Sequence, residues 1–284
     1  MCATGWHGAE LAAALALLLA APFGCSLRSL DDLEAAQSSA VVVQCSDEMQ
    51  QIAFDGGGTF CIDRRETTRA QFDDFLSALP AAEPMAAQAD LCPDLVDVAP
   101  RDGADCSEAY QAGLDPELPM TCVTLCESMA YCQFHGKRLC GSRGGEAIKT
   151  LETIDEEMNN PGRDEWFMAC AGDGTRMYPY GSEAVPGVCN VASTGLLPAG
   201  ASASCTTPEG VLDLSGNVAE WTLLCIDNPR WNSPRCLVRG GEFSASDLSN
   251  TRCGRTVRST PDEPLMRLAP TARLPGVGIR CCGD

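Results

Sequence analysis

A chain of 284 residues, 45% of them hydrophobic, is long enough to bury a full core and too apolar to be a disordered polymer. Its formal net charge of −19 excludes nucleic acid as a partner of the whole chain, because an acidic surface repels phosphates. The 18 cysteines, set against two histidines, argue against zinc and for an oxidising compartment.

Residues 11–24, LAAALALLLAAPFG, form an apolar run too short to span a bilayer comfortably, with Cys25 and Ser26 directly behind it. This pattern predicts a signal peptide over 1–24 that ends at a lipid-anchored Cys25. Ordinary signal-peptidase cleavage nearby, or a true start other than Met1, is the alternative. No Lys or Arg precedes the run, and Pro22 and Phe23 stand where small or aliphatic residues are usual. The expected location is the outer membrane or the periplasmic face of a bacterial envelope, with the lipid as the only membrane contact. Losing Cys2 with the signal and lipidating Cys25 leaves sixteen cysteines, enough for eight disulfides.

Residues 25–44 read as a tether, and 45–284 as one domain. QQIAFDGGGTFCIDRRETT offers strand pieces broken by Gly56 to Gly58. TTRAQFDDFLSAL then places Phe72, Phe75, Leu76 and Leu79 at helical spacing, with Thr67 or Thr68 as the cap. Residues 80–118, rich in Pro, Ala and Asp, are expected to be a surface insertion closed by a Cys92–Cys106 bridge. VTLCESMAYCQFHG predicts a helix with Val123, Cys126, Ala130 and Phe134 on one face and Gly136 at its end. Beyond Gly141 the chain is Gly-rich and irregular, with short strands such as CLVRGG and GVGIRCC, and an α+β class follows. From Trp231 onward eight arginines face five acids. They pair with the acidic excess elsewhere or hold a small anionic group. His135, the one histidine left after processing, leaves no Ser-His-Asp or Cys-His arrangement that does not use it.

DLSGNVAEW, residues 213–221, collects the oxygen-bearing side chains of Asp213, Ser215, Asn217 and Glu220 around a glycine. Hard cations favour such oxygens, although the spacing is not that of an EF-hand. CIDRRETTRAQFDDF, VTLCESMAYCQFHGKRLCG, DEWFMACAGDGTRMYPYG, GVLDLSGNVAEWT, LVRGG and GIRC stand in the order and spacing of the formylglycine-generating enzyme, or sulfatase-modifying factor, family. The chain resembles that family over about residues 45–282.

The resemblance implies a single compact α+β domain, C-type-lectin-like, irregular and disulfide-rich. It implies disulfides Cys132–Cys281 and Cys170–Cys253, which makes Cys253 structural. It also implies structural calcium on the side chains of Asn190, Asn217 and Glu220 and the carbonyls of Val191 and Val218; otherwise these side chains only cap turns. Family enzymes oxidise a cysteine of an unfolded sulfatase with oxygen and a Cu(I) held by two thiolates. Here the matching interval, residues 242–252 (EFSASDLSNTR), has no cysteine, and Glu242 replaces the family's serine. Copper and formylglycine-generating activity are therefore not expected unless another cysteine, such as Cys282, enters the site; beside a crosslinked Cys281, a second bridge is the simpler role. Near-neighbour pairing adds Cys189–Cys205 and Cys225–Cys236. Trp221, Arg239, Glu242, Phe243 and Arg252 flank the family's substrate cleft and are the candidate groove for a peptide, protein or glycan ligand. The expected function is a non-catalytic binding or envelope-structural module; the alternative is an oxidoreductase of the wider family acting on a thiol or peptide through a different site.

Overall fold

The computed structural model describes residues 44–54, 56–79, 91–92, 106, 114–143, 148–149, 157–227, 234–254 and 267–284. The expected signal peptide, Cys25, all of the tether but Gln44, and most of the 80–118 insertion lie outside the described residues. Among the described residues no helix is long and apolar enough to cross a membrane.

Among the described residues three helices form where capping side chains precede apolar periods: α1 (Arg69–Ala78), α2 (Leu125–Phe134) and α3 (Glu165–Ala171). Thr68 and Gln71 make a reciprocal capping box on α1, Thr124 and Glu127 another on α2, and the Asp164 side chain accepts from Phe167 N–H on α3. Each cap satisfies donors that a helix start leaves open. Phe72 and Phe75 of α1 are buried and pack on Tyr131 of α2 with ring centroids 5.7 and 5.6 Å apart. The single buried face expected for α2 is not what forms. Leu125 through Cys132 are all buried while Phe134 is 41% exposed, because α2 is enclosed by neighbouring segments on nearly all sides. Gly136, at φ 67°, ends it.

The strands are β1 (Met49–Ala53), β2 (Thr59–Asp63), β3 (Arg138–Leu139), β4 (Ile148–Lys149), β5 (Ala219–Ile226), β6 (Arg235–Arg239), β7 (Arg267–Leu268), β8 (Val277–Gly278) and β9 (Cys281–Gly283). One sheet runs β1-β2-β9-β3, all antiparallel. The other runs β4-β5-β6-β7, with β8 parallel to β5. β5, AEWTLLCI, is buried at every residue, as a strand covered on both faces must be. The class is α+β.

Among the described residues eight disulfides close the domain: Cys45–Cys61, Cys92–Cys126, Cys106–Cys122, Cys132–Cys281, Cys140–Cys282, Cys170–Cys253, Cys189–Cys205 and Cys225–Cys236. The expected Cys92–Cys106 bridge does not form. Both sulfurs reach out of the insertion instead, Cys92 to Cys126 on α2 and Cys106 to Cys122 just before it. Nearness in sequence misled here, since a disulfide needs Cα atoms about 5.5 Å apart in space.

Candidate functional site

The segment DLSGNVAEW makes a tight turn before entering β5. Asp213 and Asn217 both adopt a left-handed φ of 57°, and Gly216 one of 77°. A Cβ on Gly216 would run into the Asn190 carbonyl and the Val191 side chain, so glycine lets the turn lie directly on residues 190–191. Asn217 N–H donates to Asn190 O at 2.9 Å, and Asn190 Nδ2 to Asn217 Oδ1 at 2.8 Å. The loop closed by Cys189–Cys205 wraps this pair. Gly195 O accepts from Asn190 Nδ2 at 3.1 Å, and Leu197 N–H donates to Asn217 Oδ1 at 3.0 Å. Asn217 Nδ2 donates to Leu197 O and to Glu66 Oε2, each at 3.2 Å.

Behind the turn three carboxyls, Glu66, Asp213 and Glu220, are buried near one guanidinium, that of Arg280. Glu220 accepts from Arg280 Nε at 2.9 and 3.0 Å and from Trp166 Nε1 at 2.6 Å. Arg280 also donates to the carbonyls of Asp63 and Leu212 at 2.8 and 2.7 Å. Glu66 Oε1 and Asp213 Oδ1, by contrast, are buried without a hydrogen-bond partner. Burial, and then the charge of Asp213, raises the Glu66 pKa well above the usual carboxylate range. Burial pushes Asp213 up to about 6.

The expected calcium ligands lie in and beside this turn. Asn217 Oδ1 and both Glu220 oxygens are filled by protein donors, and Val191 and Val218 belong to the segments that meet at Gly216. Glu66 Oε1 and Asp213 Oδ1 are fully buried side-chain oxygens that find no donor among the described residues. These two carboxylate oxygens would also suit a hard cation, beside the expected Asn190, Val191, Asn217, Val218 and Glu220. Among the described residues no three His, Cys, Asp or Glu side chains converge on one ion, so carbonyl or water oxygens would have to complete its shell.

The RGG element lies on the other side of Trp166. Arg239 is fully buried: it pairs with Asp164, donates to Asn159 Oδ1 at 2.8 Å, and its guanidinium carbon lies 5.7 Å from the Trp166 ring centroid. Trp221 is 1% exposed, and its Nε1 donates to Val123 O at 2.9 Å. These two expected groove residues are thus core residues: the Trp221 indole and the two terminal Arg239 nitrogens find partners inside the fold, while Arg239 Nε is buried without one. Glu242 and Phe243 are half-buried and Arg252 is exposed. The Glu242 carboxylate lies where a Cβ on Gly276 would stand and accepts from Ser244 Oγ at 2.9 Å. Phe243 N–H donates to Asn217 O at 2.9 Å, which joins this loop to the turn. Arg252 Nε donates to Tyr178 Oη at 3.3 Å, and the Tyr178 ring stacks on Tyr180 with centroids 5.5 Å apart.

Cys253 is fully buried and bonded to Cys170, and every cysteine among the described residues is in a disulfide. Among the described residues no thiolate pair is present for Cu(I), so these residues do not fit that ion. Sequence reasoning missed Glu66 and Arg280. A readable signal existed for the second: a lone arginine inside the otherwise apolar GVGIRCC strand requires a buried acid.

Among known proteins, the formylglycine-generating enzyme of Mycobacterium tuberculosis (strain ATCC 25618 / H37Rv) is 27% identical over 279 residues, covering 79% of this chain and 87% of that one. Treponema denticola variable protein 1 superposes with a TM-score of 0.49 at 13% identity, over 83% of this chain and 94% of its own. PvdO from Pseudomonas aeruginosa does so with a TM-score of 0.44 at 18% identity, over 80% and 81%. Residues 44–283 match the sulfatase-modifying factor enzyme 1-like domain, and with most of its length in that match the chain belongs to this family.

Proposed function

We propose that the protein is an exported, lipid-anchored member of the family that has given up formylglycine generation and serves as a binding or envelope-structural module. The observation that carries this reading is the state of its sulfur. Sixteen cysteines form eight disulfides, and residues 242–252 hold none. Thiolate chemistry needs a free, ionisable sulfur, and a copper-dependent oxidation of a substrate cysteine needs two of them on the metal. Eight disulfides also favour an oxidising compartment, which agrees with the lipoprotein-type sequence around Cys25. Glu242, Phe243 and Arg252 remain the groove candidates, beside the stacked tyrosines.

Alkylation of the purified mature protein, followed by mass spectrometry with and without reduction, checks the reading directly. We expect no labelled thiol before reduction. We also expect no conversion of a sulfatase-type cysteine peptide supplied with copper and oxygen. Formylglycine in that peptide would overturn the proposal, whatever the thiol count.

A further inference from the structure

A cavity of about 240 Å³ opens where the end of β2 meets α2, away from the turn and the RGG loop, with Asp63, Thr67, Tyr131 and Lys137 among its lining residues and Arg64 and Glu48 beside them. Asp63 fixes its floor. One carboxylate oxygen accepts from Lys137 Nζ at 2.6 Å and the other from Cys281 N–H at 3.1 Å, so both are committed. An ammonium carries three donors, and Asp63 engages one of those on Lys137. The Tyr131 hydroxyl is buried and hydrogen-bonded with Thr67; burial raises its pKa, so it stays a phenol that can donate.

At the mouth, Arg64 is exposed and makes no side-chain hydrogen bond or ion pair among the described residues. Arg138, Arg163, Arg176, Arg239, Arg273 and Arg280 are each held in an ion pair. Its neighbour Arg65, also on the lining, reaches only a half-exposed Glu117 at 3.5 Å, which adds little. Three cations thus face two acids, Glu48 and Asp63, in a space holding roughly eight waters.

We propose that this cavity binds a small carboxylate of the size of an amino acid or a hexuronic acid, its oxygens taking the remaining Lys137 donors and the Tyr131 hydroxyl while Arg64 closes over the anion at the mouth. A fork of guanidinium donors matches a carboxylate bidentately. A cavity of about 240 Å³ matches a ligand of that size. The inference gives the binding reading a ligand class and rests on it for its use, while thiol labelling and peptide turnover test that reading separately.

Titration calorimetry on the intact mature protein decides it, with glucuronate, glutamate and sulfate as probes and glucose as a neutral control. We expect at least one carboxylate to bind with a dissociation constant of about 1 mM or tighter, sulfate more weakly and glucose not at all. Arg64→Ala and Tyr131→Phe should each weaken binding by about tenfold, the scale of a lost hydrogen bond to a charged group; Arg64→Ala should leave the melting temperature unchanged, and Tyr131→Phe should lower it modestly, because its buried bond with Thr67 is lost. Arg64 is exposed and Tyr131→Phe keeps the ring, so both variants retain the fold. Failure of every carboxylate to bind, equal binding of glucose, or binding indifferent to both substitutions would each overturn the proposal; tighter sulfate than carboxylate would reassign the site to inorganic oxyanions.

Discussion

Asp213 and Glu66 hold two buried oxygens with no donor, and an uncompensated acceptor of that kind costs roughly 1 to 3 kcal/mol. Either a proton or a cation offsets that cost at neutral pH. If calcium does, millimolar calcium should raise the melting temperature by several degrees, since saturation at a hundred times the dissociation constant contributes about 2.7 kcal/mol. Asp213→Asn and Glu66→Gln should abolish that response yet leave a folded protein, because each amide removes a like charge from the cluster. Thermal melts of the wild type and both variants, in calcium and in EDTA, check this; a wild type indifferent to calcium would leave a proton on Glu66 instead. The sequence made the oxygen-rich turn visible but not the burial of Glu66 beside Asp213. Glu66, inside RRETT, reads as a solvated lead into a helix, and its burial is set by Arg280, more than 200 positions away. Arg239 and Trp221 misled in the opposite sense, as side-chain types that favour binding clefts but whose partners here lie inside.

At the level of elements, local signals carried most of what could be read. The caps of α1 and α2 and the Phe72 and Phe75 stripe follow from residues within one helical turn, and the structure keeps them. What local signals could not reveal was the enclosure of α2 on nearly all sides, because the segments that cover it, Cys92 and the 273–281 stretch, are remote in sequence. The α2 start shows the same dependence. Glu127, with a side chain 2% exposed, accepts from Thr124 N–H at 2.8 Å and holds Arg273 through contacts of 2.7 and 2.5 Å. Thr124→Ala should cost about 1 kcal/mol, the usual value of an N-cap. Glu127→Ala should cost more, roughly 3 to 5 kcal/mol, because it also leaves the mostly buried Arg273 guanidinium unpaired. Urea unfolding of the two variants measures the difference, and equal losses would mean that the Arg273 contact contributes nothing.

Across the whole molecule, the vicinal Cys281 and Cys282 tie the C-terminal strand to two places at once, Cys132 on α2 and Cys140 beyond β3. The loops these bonds close are nearly the same, with separations of 149 and 142 residues. If disulfides stabilise by limiting the unfolded chain, the first bond to close bears the cost of the long loop, and the second closes only a ring of roughly ten residues. The chain-entropy relation then assigns about 5 kcal/mol to the long closure and about 3 kcal/mol to the short one. Removing either bond alone should therefore cost only about 3 kcal/mol, since the other still closes the long loop, whereas removing both should cost about 8 kcal/mol. Denaturant unfolding of Cys132→Ala/Cys281→Ala, of Cys140→Ala/Cys282→Ala and of the fourfold variant gives the three numbers. A total close to the sum of the two pairs would place the stabilisation in native packing around β9 rather than in the unfolded chain. A total well beyond that sum would mean that either cross-link alone suffices to restrain the long loop, and that the paired cysteines at the C-terminus act as redundant closures of one fold.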